Sequence, residues 1–124
     1  MAQNFAKSQS TPQFKVGFFF TSLPANAQTV LLLPFSVAVT FNAGLPNAKA
    51  NSAVAATGSS VFTILKNGAS IGTFTFAPAA TSATFSFTTA ATFSVGDILT
   101  ITAPALQDAT LSGIGVMFQG ISAS

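Results

Sequence analysis

The stretch Val61-Phe62-Thr63-Ile64-Leu65-Lys66-Asn67-Gly68-Ala69-Ser70-Ile71-Gly72-Thr73-Phe74-Thr75-Phe76 reads as a β-hairpin. Two runs rich in β-branched and aromatic residues flank Asn67-Gly68. Asn-Gly suits a type I′ turn because both central residues of that turn need positive φ, and its twist matches that of the strands it joins. Pairing outward from the turn sets Ile64 opposite Ile71 and Phe62 opposite Thr73, leaving Thr63, Leu65 and Ser70 on the other face. Phe74 and Phe76 then fall out of phase with Ile71. Either a bulge at Gly72 returns them to the core side, or both faces of the hairpin are partly covered.

Similar short runs fill the rest of the chain, with no sustained 3.6-residue period. Strands are expected over Phe14 to Thr21, Thr29 to Leu33, Ser36 to Phe41, Ala83 to Thr88 (Phe85 and Phe87 sharing a face), Ile98 to Thr102 and Gly113 to Gly120. Pro24 with Asn26, Gly96-Asp97, Ala103-Pro104 and Gln107-Asp108 punctuate them, and Pro34 permits a bend or bulge but no central ladder bond. Asn42 to Ser60 reads as a loop, in which Ala48 to Ala56 suit a short helical turn or an edge strand. Seven or eight short strands at this spacing imply an all-β fold, an antiparallel β-sandwich of jelly-roll-like type. The sandwich is expected over residues 14 to 124, preceded by an extended N-terminal arm over residues 1 to 13. That arm is polar except for Phe5, which would anchor it on a neighbouring subunit.

Composition narrows the function further. Of 124 residues only 5% are charged, against about 25% in ordinary soluble domains. Lys7, Lys15, Lys49 and Lys66 are scattered rather than clustered, so no nucleic-acid footprint is visible. The most apolar stretch, Val30 to Phe41, is interrupted by Pro34 and falls short of the roughly 20 residues a membrane helix needs. With neither Trp nor Tyr, the interfacial girdles of a membrane barrel are missing as well. The polar N-terminus lacks the apolar core of a secretory signal. Low charge and high apolarity are better explained by a surface that meets other subunits. Phe is the one strong bias, with 14 copies. Most are expected in the core, and the run Phe18-Phe19-Phe20 supplies one face that meets a partner.

The chain has no His, Cys, Arg or Glu, which leaves little for catalysis. General acid–base work would fall to Asp97 and Asp108. Both sit in turn contexts, where an Asp side chain hydrogen-bonds nearby backbone amides, so they are expected to be turn carboxylates. Two separated carboxylates also make a poor calcium site, and Lys66 as a base for a Ser nucleophile has no supporting motif. Gly113-Ile114-Gly115 lacks the following helix of a phosphate-binding loop and reads as a packing or bulge feature. The expectation is therefore no catalytic residue, no cofactor and no metal. Asn, Gln, Ser and Thr leave room for a weak sugar site, or one shared between protomers.

The order of segments resembles that of small β-sandwich modules in structural proteins of tailed bacteriophages. The likeness rests on Val16 to Phe20, Leu33 to Phe41 with Ala43-Gly44-Leu45, Val61 to Gly68 with Ile71-Gly72-Thr73, and Phe93 to Ile101 leading to Pro104 and Asp108 to Leu111. It covers roughly residues 14 to 120. The resemblance implies a non-enzymatic virion protein, made in the host cytoplasm and carried on the virion surface. A capsid decoration (cement) protein is expected, self-associating as a trimer and bound to the major capsid protein or another virion protein through Phe5 and Phe18 to Phe20. The alternative is a tail-fibre or head-fibre module that attaches to a host surface glycan.

Overall fold

The computed structural model describes residues 13–122 apart from Ser22 and Pro46. Residues 1–12 of the expected arm, Phe5 among them, lie outside the described residues, and Gln13 already belongs to the first strand. The strands are β1 (Gln13–Phe20), β2 (Thr29–Pro34), β3 (Val39–Phe41), β4 (Lys49–Val54), β5 (Ser60–Lys66), β6 (Ala69–Phe76), β7 (Ala83–Ser86), β8 (Ala91–Phe93), β9 (Ile98–Thr102) and β10 (Ser112–Ser122). No helix occurs among the described residues.

The pairing is nested. First pairs with last (β1 with β10), β2 with β9 and β3 with β8, all antiparallel, and the β5–β6 hairpin is innermost. Successive arms of this folded-over hairpin alternate between two sheets. Sheet A runs β1-β10-β3-β8, with β4 beside β10, and sheet B runs β2-β9-β5-β6-β7. This is the jelly-roll form of the antiparallel β-sandwich.

Ten strands form where seven or eight are expected, and the additions are short or built from small residues. β4 lies inside the stretch read as a loop. It resolves the choice between helical turn and strand, pairing with β10 from Val54↔Ser112 to Lys49↔Met117. Only Ala50 and Ser52 of β4 are buried, so its alternation carries little hydrophobic contrast. The expected strand from Ser36 shrinks to Val39–Phe41. The backbone of Phe35 bonds instead to Asp97 O and Gly96 N, and the chain turns there from one sheet to the other. The expected strand Ala83 to Thr88 ends at Ser86, and buried Phe87 packs just beyond it.

The hairpin has its expected turn, with φ of 50° at Asn67 and 88° at Gly68. Its register differs from simple pairing: Ile64 faces Gly72 and Phe62 faces Phe74, because the ladder shifts between Ile64 and Leu65 and leaves Ile71 as the extra residue. The bulge thus falls beside Gly72, and it returns Phe74 and Phe76 to the interior with Phe62 and Ile64. Phe62 and Phe74 stack as a cross-strand pair, 5.0 Å between centroids and 2° between planes. Sheet A answers with Phe41, Phe93 and Phe118, and Phe35 stacks on Phe93 at 4.6 Å. Phe therefore fills the core, in tilted and offset contacts that add to its area burial.

Gly72 marks a close approach. A Cβ there would lie 2.6 Å from Phe87 Cδ1 and 2.8 Å from Ser86 O, and that oxygen belongs to β7 backbone that cannot easily move. Gly72→Ala is expected to lower unfolding free energy by about 1–3 kcal/mol, the ordinary cost of overpacking. Urea denaturation measures it, and an unchanged midpoint would contradict this account of the bulge.

Candidate functional site

The two carboxylates are structural pins at opposite ends of the sandwich. Asp108 lies between β9 and β10 and reaches across to the segment that leads into β5. Its Oδ1 accepts from Thr57 Oγ1 (2.6 Å), Thr57 N (3.0 Å) and Gly58 N (2.8 Å). Its Oδ2 accepts from Thr110 N (2.9 Å), Thr110 Oγ1 (3.0 Å) and Leu111 N (3.1 Å). So many donors favour the charged form. The Thr57 hydroxyl first, then the Thr110 amide, hold this carboxyl far below the usual range.

Asp97 accepts from Ser94 N (2.8 Å) and from Asn67 Nδ2 (3.0 Å), which lower its pKa in that order. Asn67 Oδ1 in turn accepts from Ile98 N (2.9 Å), so the hairpin turn is clasped to the start of β9. Lys66 Nζ stands 3.9 Å from Asp97 Oδ2 and 5.7 Å from the centroid of the Phe93 ring. Such a part-exposed ion pair adds little stability. The pins flank the two ends of β5, seven residues or about 23 Å apart at 3.3 Å each. They cannot act as a catalytic pair across one bond, and no group of three or more metal-ligating side chains occurs among the described residues. Gly113 reads as expected for a packing position: its φ is 65°, and a Cβ would lie 2.8 Å from that of Ala53.

With the carboxylates engaged in loops, the surfaces left are the outer faces of the sheets. On β1, Phe14, Val16, Phe18 and Phe20 turn toward the sandwich interior, while Lys15, Gly17 and Phe19 turn outward. The phenylalanine run thus divides as strand geometry requires, and Phe19 is 62% exposed. On the outside of sheet A, Gly17 lies beside Met117 (49% exposed) and Gly115 beside Phe19. Each glycine leaves a gap next to a bulky neighbour. The gaps join into a shallow groove of about 580 Å³, lined by Gly17, Phe18, Lys49, Asn51, Gly115, Val116 and Met117. Lys15 and Lys49 are the ionisable side chains of this face, and both acids lie elsewhere.

The outer face of sheet B is different. Thr29, Thr102, Thr63, Thr73 and Ser86 are successive cross-strand partners, forming one row of hydroxyls across all five strands. Thr75 and Thr84 begin a second row. Neighbouring hydroxyls sit one strand spacing apart, about 4.8 Å. Sequence reading did not find this row, although Thr100-Ile101-Thr102, Thr73-Phe74-Thr75 and Thr84-Phe85-Ser86 each show the alternation. Register alone aligns them.

Comparison with protein families, with curated proteins and with solved structures finds no match to this chain.

Asp108 makes stability depend on acid. Its folded pKa lies below the unfolded value of about 3.9, so its contribution is complete above that pH and is lost as the pH falls through the folded value. Asp108→Asn should melt below wild type at neutral pH, with the gap narrowing between about pH 5 and about pH 2. Melting curves across that range test this, and a gap independent of pH would contradict the pin.

Proposed function

We propose that this chain is a non-enzymatic structural protein of a bacteriophage virion, a capsid decoration protein seated on the outer surface of the head. One observation carries the reading: both carboxylates are engaged in holding loops, while a grooved face with exposed Phe19 and Met117, and with Lys49 in the lining of its groove, is left uncovered. Such a face serves association with protein rather than turnover of a substrate. Burying a side chain such as Phe19 stabilises a contact by about 1.5–3 kcal/mol, and a few such contacts repeated around a shell suffice for cementing. Jelly rolls are common in viral shells, and the resemblance to phage modules points the same way. The face would meet the major capsid protein or another virion protein, which places the chain on the virion surface after synthesis in the host cytoplasm.

The copy number of the chain in purified particles, by gel densitometry against the major capsid protein, tests this. A ratio comparable to that of the shell protein is expected. A handful of copies would move the chain to a fibre or tail, and its absence from particles would remove the virion reading.

The hydroxyl row favours a second reading, a fibre module that attaches to a host glycan. An uncharged row of donors and acceptors suits a neutral sugar chain lying across the strands. Thr63→Val with Thr73→Val and Thr102→Val removes three hydroxyls while keeping β-branched shape. On this reading the variant loses binding to host envelope glycans at least about tenfold, and equal binding by a glycan array would exclude the row as the site.

A further inference from the structure

We infer that β1 is the edge through which two copies of this chain join, by antiparallel pairing of β1 with β1 about a two-fold axis at Gly17. The inference concerns the isolated chain, puts a two-fold pair in place of the trimer that the resemblance implies, and stands or falls independently of the virion reading.

The sheet edges are not alike. Exposed edges invite pairing unless they are short, bulged or interrupted by proline. β8 has three residues and β7 has four. β2 carries a register irregularity between Thr29 and Leu31 and ends at Pro34. The outer flank of β4 is engaged by the Asn51↔Ser82 bridge and the bond from Ser52 N to Thr81 O. β1 has none of these protections. It spans eight residues, pairs with β10 from Gln13↔Ile121 to Phe20↔Ile114 without a shift, and contains no proline. Among the described residues no strand pairs with its other side. Its inward row is also incompletely covered, since Phe14 and Phe18 are half-buried against the core and Phe20 is half-buried at the strand end, while Val16 is buried.

A second copy meets these requirements. A two-fold axis normal to the sheet keeps inner faces on one side, so only registers that pair inward with inward residues are allowed. The register centred on Gly17 sets Phe14 opposite Phe20 and Val16 opposite Phe18, which covers the open aromatic row from both copies. On the outer side it sets Lys15 opposite Phe19, an ammonium against an aromatic ring, twice per dimer. Lysine does not face lysine, and the two strands cross where neither has a side chain. The alternative register centred on Val16 leaves Phe20 overhanging and sets Lys15 against Gly17. Joined in this way, two copies of sheet A form one continuous sheet, and Phe19 and Met117 extend as a single outer face.

Light scattering over a concentration series is expected to give twice the chain mass for the wild-type protein. Phe19→Lys sets two ammonium groups opposite each other at both symmetry-related positions, and should weaken the dimer at least about tenfold. Adding Lys15→Glu to that variant turns each repulsive pair into an attractive one and should restore it. Thermal melts of each variant separate a folding fault from lost association. Because the chain has no cysteine, Gly17→Cys supplies a lone thiol at the axis, and mild oxidation should cross-link it far more than Ser70→Cys at an exposed position of β6 near the hairpin turn. A monomeric or trimeric wild-type mass, failure of the double variant to recover, or equal cross-linking at the two positions would each overturn the inference.

Discussion

The pairing of the first strand with the last organises this molecule. β10 is the longest strand, and it holds β1 on one flank and β4 and β3 on the other, so sheet A is assembled around it. Within this closure β2–β9, β3–β8 and β5–β6 are nested in turn, down to the hairpin at Asn67-Gly68. Local ladders form only at that hairpin and at the neighbouring β6–β7 pair, joined by residues 77–82. The remaining ladders require loop closure over long stretches of chain before they return any energy, which makes a fold of this kind slow to form. Aromatic rings fill the interior in two groups, Phe62, Phe74 and Phe76 packed together within sheet B and Phe41, Phe93 and Phe118 within sheet A, and both groups belong to one hydrophobic core.

A core built from Phe, Leu, Ile, Val and Ala has few buried polar groups to satisfy, and the polar side chains work at the periphery instead. Asp108 ties the entry of β5 to the entry of β10, and Asp97 with Asn67 ties the hairpin turn to β9. Loops that would otherwise be loose are thereby fixed at both ends of the sandwich. The same use engages both aspartates of the sequence in loop contacts. The proposed role as a structural virion subunit draws on what remains among the described residues: one sheet face with exposed Phe19 and Met117 beside lysines, one that is rich in hydroxyls, and the unpaired edge of β1.

Low charge has a different meaning on each of these surfaces. On β1 and the face beside it, exposed Phe19 and Met117 gain by being covered, and the glycines between them let another backbone come close. On sheet B, threonine suits a half-exposed strand on its own account, and the row remains hydrated in the isolated chain. On the proposed reading the first surface bears on assembly and the second on what the assembled particle meets.

Much of this architecture was written in the sequence. The β class, the hairpin and its turn, the inward and outward division of Phe18 to Phe20 and the turn role of Asp97 and Asp108 follow from local chemistry: period-two patterning, the φ demands of Asn-Gly, and the short reach of an aspartate to nearby amides. Tertiary structure decided the rest. β4 was hidden because Ala50 and Ser52 offer little hydrophobic contrast, and the bulge at Ile71 is set by how closely Gly72 lets β7 and Phe87 approach. The partners of Asp108 at Thr57 and Gly58, the single row from Thr29 to Ser86 and the isolation of β1 at an edge depend on which distant strands pair and in what register. No single segment carries that information, because register is a property of two strands at once.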